Sequence, residues 1–410
     1  MRLEYIQRIF FIIILLIATT QAWAQTEDVK DPAPCCGFLL GAQEIGIGFG
    51  NIPVVKGIRF NFRDHGLKQV DGLNLSLWVP KENTGSVVNG FNLGLLPEAG
   101  TMNGISIGVL GATGNELNGV FAGLLGVGAV DDIKGLSIGG LGVASNKRLA
   151  GISIAGAAVA GRDDVRGISL SGIGIGSGGD ISGVQIAGIG LGAGADMRGF
   201  NLAGIGLGAG GKLEGISIAG IGLGSGDDIR GLALSGIGIG ASETITGVSV
   251  SGIGTGAKQL KGIHLSGIGM GAQKVEGIVV AGVGLGTESI TGFAMTGVAM
   301  GAKELQGLFV SPVLVAKELR GISINPVVNS IYQNYGVTLA TINSVRCPND
   351  QRWGNSATEN CEAINMGVQI GIYNYSRRMG ARAWQIGLLN YVRENRKGMR
   401  LLPLVNRRFE

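Results

Sequence analysis

The sequence predicts an all-β chain wound as a parallel β-solenoid with 15 to 16 residues per coil. Three observations carry that expectation. A glycine followed by an apolar residue recurs at Gly119, Gly135, Gly151, Gly167, Gly183, Gly199, Gly215, Gly231 and Gly247, eight successive steps of 16. The step then shortens to 15 through Gly262, Gly277, Gly292 and Gly307, and looser copies stand upstream at Gly57, Gly72, Gly90 and Gly104. Fixed-period repetition of this kind marks a stacked architecture, in which each unit buries the faces of its neighbours. Composition agrees: 77 glycines in 410 residues, 45% hydrophobic and only 15% charged, suit neither an ordinary globular domain nor a disordered chain.

The third observation is a change of parity inside one unit, "GISIAGIGLGSGDDIR", residues 215–230. Side chains alternate between the faces of a strand. Ile216 and Ile218 share one parity, whereas Ile221, Leu223 and Ile229 share the other. Bends at Ala219-Gly220 and across Gly224 to Asp228 would bring all five into one interior, so each unit reads as one coil of short strands and corners. Roughly twenty such coils at about 4.8 Å spacing make a rod of about 90 to 100 Å. The alternative is an outer-membrane β-barrel serving as a pore or transporter. It is disfavoured because Gly135 to Gly292 contains no Trp or Tyr and a single Phe, Phe200, leaving no aromatic girdle.

Taken along the chain, residues 1–24 read as a secretory signal peptide. Arg2 and Arg8 precede an apolar run from Ile9 to Ala18, and Ala22-Trp23-Ala24 offers a cleavage site before Gln25. The run is too short for a membrane span. Residues 25–56 form an N-terminal lead-in or cap, and 57–345 the repeat solenoid. Residues 346–362 form a polar insertion loop, and 363–410 the C-terminal repeats and cap, where Asn374, Asn390 and Asn406 restore the step of 16. Cys347 and Cys361 bracket the polar loop and are the candidate disulfide. For the adjacent Cys35 and Cys36, a vicinal bridge, a link to another chain and two free thiols all remain open.

Formal charge is +4, about +3 without the leader, and no basic patch is interleaved with aromatics, so no nucleic-acid partner is expected. Four ladders could carry chemistry. Asp132, Asp164, Asp180, Asp196 and Asp228 share a register with Arg148 and Lys212, and Arg166, Arg198 and Arg230 follow two residues after an acid. The nine-residue unit of calcium-binding β-rolls is absent, so these acids read as solvated corners bonded to local amides rather than as metal ligands. Gly142, Gly174, Gly190, Gly206, Gly222, Gly238, Gly254, Gly269 and Gly284 form an outward glycine ladder, interrupted by Ala158. A strand glycine lowers stability, so this bare face suggests a close neighbour: a membrane surface, a second rod or a terminal segment folded back. Ser106, Ser137, Ser153, Ser169, Gln185, Asn201, Ser217, Ser249 and His264 form a small polar column, placed outside by the parity that puts Ile216 and Ile218 inside. Asn374, Asn390 and Asn406 could stack their amides. Only His65 and His264 are present, neither with an evident nucleophile beside it, and GxG fragments without a following helix are no dinucleotide loop. The chain therefore reads as non-enzymatic, without cofactor or metal.

The flanking units "GVQIGIYNYSRRM", "WQIGLLNYVRENRKGMRLLPLVN", "GIRFNFRD" and "DGLNLSLW" resemble bacterial surface-repeat proteins, exported chains built from short glycine-aliphatic repeats. The resemblance is best at the two flanks. It implies location at the cell surface, outer membrane or periplasm. The expected function is a structural or interaction role there, with a cell-envelope component or another protein as partner, and it supplies no catalytic residues.

Overall fold

A computed structural model describes residues 37–81, 83–347 and 363–409. The leader, Cys35, Cys36, Cys361 and nearly all of the polar loop lie outside the described residues. The chain is a parallel β-solenoid of about twenty turns and not a barrel. Parallel stacking begins where Ile45–Phe49 pairs with Val54–Asn61, inside the stretch expected as a lead-in, and continues to the pairing of Val368–Ser376 with Trp384–Val392. Each end finishes with an antiparallel strand, Phe38–Ala42 on the first coil and Leu401–Asn406 on the last. These strands occupy the two edges where a solenoid would otherwise expose unpaired backbone.

One coil holds a long strand, Leu213–Ala219, a corner at Gly220-Ile221, a short strand, Gly222–Ser225, and a second corner at 226–228. Long strand stacks on long strand in strict register, Leu213 on Ile229 and Ala219 on Ser235; the short strands stack likewise, Gly222 on Gly238. When the step shortens to 15, the second corner loses a residue. Short and long strands then fuse into single strands such as Gly254–Ser266 and Gly269–Ala281.

The expected inward set is corrected in one respect. Leu223 and Ile229 are buried, but Ile216 and Ile221 are 41% and 47% exposed and Ile218 is half-buried. The interior instead takes Leu213, Ser217, Ala219, Leu223 and Ser225. The buried side chains keep a single parity through the coil: Leu213, Ser217, Ala219, Leu223, Ser225 and Ile229. Ordinary alternation counted from buried Leu213 places Glu214, Ile216 and Ile218 outside and Ser217 and Ala219 inside, with Gly215 at φ +110 between them. A coil of this size has room for two large aliphatic columns, and the remaining inward positions must be small.

Two kinds of glycine follow. At Gly215 a Cβ would stand 2.3 Å from the Gly199 carbonyl oxygen, and at Gly220 it would stand 2.0 Å from that of Gly204. At Gly222 and Gly224 a Cβ would meet nothing within 4 Å. Gly220→Ala should therefore destabilise the rod by about 1–3 kcal/mol, while Gly224→Ala should change stability by no more than about 0.5 kcal/mol. Thermal unfolding of the two variants followed by circular dichroism checks the contrast; equal effects would contradict it.

Candidate interaction surfaces and the buried polar column

The acidic ladder has a structural duty that its sequence position only half discloses. Each aspartate accepts a bond from the amide of the next coil rather than from a local one. The Oδ1 atoms of Asp164, Asp180, Asp196 and Asp228 accept from the amides of Asp180, Asp196, Lys212 and Thr244, at 3.3, 3.1, 2.9 and 3.2 Å. Where an arginine follows two residues later it holds the second oxygen, as in Arg166 to Asp164 at 2.7 Å and Arg230 to Asp228 at 2.8 Å. Glu214 lies between Arg198 and Arg230, at 3.3 and 3.7 Å. These exposed pairs add little stability individually. Asp132 is better buried: burial pushes its carboxyl up, but hydrogen bonds from Arg148 and Lys134 and the Arg148 charge bring it below the usual carboxylate value. Among the described residues no group of three His, Cys, Asp or Glu side chains is placed to hold a metal ion.

The small polar column, expected outside, runs through the core. Ser137, Ser153, Ser169, Gln185, Asn201, Ser217, Ser249 and His264 are all at most 2% exposed. They stack in register, Ser169 on Gln185 and Gln185 on Asn201. Some of these groups have no hydrogen-bond partner among the described residues: the Ser137 and Ser169 hydroxyls, both amide atoms of Asn201, and His264 Nε2. His264 Nδ1 lies 2.8 Å from Ser249 Oγ, a pairing that the sequence did not suggest. Both residues are sealed in the core, so no substrate can reach that hydroxyl.

At the N-terminal end the same column becomes a denser polar network, and at the C-terminal end it runs through Ser323, Thr338, Gln369 and Gln385 beside a separate amide ladder. Arg59, fully buried, is ion-paired with Asp64 and donates to Asn74 Oδ1 at 2.8 Å; Asn74 in turn donates to Asn92 Oδ1 at 3.0 Å. Nothing in the period marks Arg59 or Asp64; a charge inside "GIRFNFRD" reads as surface unless its parity is known. At the other end Asn343 donates to Asn374 and Asn374 to Asn390, at 2.8 and 2.7 Å. Asn406 donates to the Asn390 backbone oxygen at 3.0 Å, not to its amide side chain. Asn329 and Asn343 belong to this ladder and escaped the sequence reading, because the polar loop puts 31 residues between Asn343 and Asn374. Tyr375 stacks on Tyr391 at 5.5 Å, and Arg407 lies over the partly exposed Trp384 ring at 6.0 Å. Cys347 is disulfide-bonded.

The outer surface is where the chain has most to offer a partner. Two aliphatic columns stand out from the long strands. One includes Ile152, Ile168, Ile216, Ile263 and Ile322; the other includes Ile138, Ile154, Leu265 and Ile324; all are 37–45% exposed. A third, on the first corner, contains Ile189, Ile205, Ile221, Ile237 and Ile253, each 45–47% exposed. Beside it lies the glycine ladder, outward as expected. Over the coils from Gly254 to Val315 it forms a groove of about 770 Å³, floored by Thr255, Met270, Leu285 and Met300 between glycine columns. Among the described residues no helix is long and apolar enough to cross a membrane.

Two stability measurements test the interior. Burial lowers the His264 pKa, more than a backbone hydrogen bond with Lys261 raises it. The unfolded chain therefore binds the proton more readily, so the contribution is intact above the ordinary histidine value of about 6.5 and is lost as pH falls below it. Urea unfolding between about pH 7.5 and 5 should show that loss in the parent and a flatter profile in His264→Ser. Arg59→Leu should cost about 3–5 kcal/mol by leaving Asp64 buried and unpaired, and Arg59→Leu combined with Asp64→Leu should recover much of it.

Comparison with protein-family models, with curated proteins and with solved structures gives no match. Function is therefore argued from these surfaces.

Proposed function

We propose that the chain is an exported, non-enzymatic structural and interaction protein of the bacterial cell envelope, a rod that presents an elongated repeat surface to an envelope component or another protein. The observation that carries this reading is the pair of aliphatic columns along the long strands. Isoleucines 37–45% exposed recur from Ile138 to Ile324 on one side of the rod, a run of coils far longer than the scattered apolar residues of an ordinary soluble surface. Such a face lowers its free energy only when it is covered.

Two further features support an oxidising compartment outside the cytoplasm. The first 24 residues have the charge, apolar run and small-residue pattern of a leader. Cys347 is in a disulfide, a bond that persists where thiols are not kept reduced. The likeness of the flanking units to surface-repeat proteins points to the same place.

Fractionation of cells producing the tagged chain tests the reading. The expected result is a mature chain beginning at Gln25 in the envelope fraction. Replacing Ile152, Ile168 and Ile216 together with threonine, which keeps β-propensity, should move most of it to the soluble fraction with an unchanged circular dichroism spectrum. A chain that stays in the cytoplasm with its leader intact, or variants held as firmly as the parent, would overturn the proposal.

A further inference from the structure

The glycine face is not explained by the coil that carries it. Gly215 and Gly220 have no alternative, because a Cβ there would collide with the preceding coil. Gly206, Gly222, Gly224, Gly240 and Gly271 are different: a Cβ at any of them meets nothing within 4 Å, and none has a positive φ. A β-branched residue at these positions would fit and would suit a strand better than glycine does. Bareness is nevertheless kept over about a dozen stacked coils, from Gly126 to Ala299. Nothing within the chain excludes a side chain at these five positions.

We infer that the occupant is a second copy of this chain, lying parallel to the first, with the isoleucine ridge of each rod seated in the glycine groove of the other. Three features of the surface select that occupant. Ridge and groove lie side by side, Ile221 next to Gly222 and Gly224, so the face is its own complement. A two-fold axis along the rods sets ridge against groove, whereas an axis across them would set ridge on ridge; only the parallel arrangement interdigitates. Ridge and groove also repeat at the same coil spacing, about 4.8 Å. A copy of the rod matches that spacing at every coil, and a lipid chain or an unrelated peptide has no such period.

Size and charge agree. About a dozen coils give a contact about 55 Å long, and ridge plus groove span about 10 Å, so about 550 Å² is available on each copy. The total of about 1,100 Å² clears the roughly 1,000 Å² that a specific interface needs. The ridge and the short strands from Gly174 to Gly256 carry no charged residue, so closing the contact desolvates no ion. Val313 and Val315 fill the outward positions and end the groove at the C-terminal side, which fixes how far the contact runs. This face is distinct from the long-strand columns on which the envelope role rests, so either inference stands if the other falls.

The test is sedimentation of the mature full chain, with Gly206→Leu plus Gly222→Leu to fill the groove. A dimer in the parent whose dissociation constant rises at least about tenfold in this variant, with an unchanged circular dichroism spectrum, is the expected result. Should the leucines disturb the fold, trimming the ridge with Ile205→Thr plus Ile221→Thr must weaken the dimer in the same way. Orientation is read from single cysteines. Ile205→Cys mixed with Gly206→Cys and, separately, Ile268→Cys mixed with Gly269→Cys should each form a disulfide between copies, since in parallel rods each ridge residue sits in the partner's groove at its own coil. In antiparallel rods at most one of the two could do so. A monomer at every attainable concentration, a dimer indifferent to both groove and ridge variants, or cross-linking at only one position would overturn the inference. So would vesicles of anionic or neutral phospholipid that bind the monomer through the groove.

Discussion

A Cβ at Gly231 would lie 2.2 Å from the carbonyl oxygen of Gly215, and the same closeness recurs one coil on, where Gly247 meets Gly231. This approach of backbone to backbone is the constraint from which the rest of the rod follows. It fixes glycine over glycine in each coil, which in turn locks every other column into register: aspartate over aspartate or lysine at the corner, leucine over isoleucine inside. A slip of one residue would put side chains against carbonyls along the whole length. The glycines in this approach have φ near +110, a conformation that few other residues adopt.

The consequence is an unusual division of polarity. Serine, asparagine and glutamine line part of the core, while isoleucine lines much of the outside. Inside, small residues fit between two large aliphatic columns. Those polar groups need partners; the end networks supply many of them, yet Arg59 Nε and Asn329 Oδ1 there lack one among the described residues, as do the Ser137 and Ser169 hydroxyls and the Asn201 amide in the middle. Buried networks at Arg59–Asp64 and along Asn343–Asn374–Asn390 thus coincide with the places where the repeat is least regular. There the networks specify one register where period alone specifies it weakly. Outside, the same parity leaves aliphatic columns uncovered, and these give the rod its capacity to hold a neighbour.

Corner charges do different work from the one their spacing first suggests. A ladder of carboxylates at a glycine-rich bend has the look of a cation site, yet each Oδ1 is already engaged by the amide of the next coil and each Oδ2 by an arginine where one follows. The ladder is a set of clasps between coils. Where the step shortens from 16 to 15, the corner residue is lost, the clasps stop at Thr244, and strands run continuously through the former corner.

Period, fold class and the outward glycine face were all legible in the sequence, because a fixed repeat admits few architectures and strand alternation assigns Gly222 and Leu223 to opposite faces. The terminal amide ladder was legible in part, at Asn374 and Asn390. What the sequence left undecided was the direction in which Ile216 and Ile218 point. Hydrophobicity alone sends them inward, whereas alternation counted from buried Leu213 turns them outward and brings Ser217 and Ala219 in. The burial of His264 and Arg59 follows from the same parity, as does the exposure of three aliphatic columns. Sequence determined that these coils stack; the limited room inside a stacked coil decided which side chains could enter.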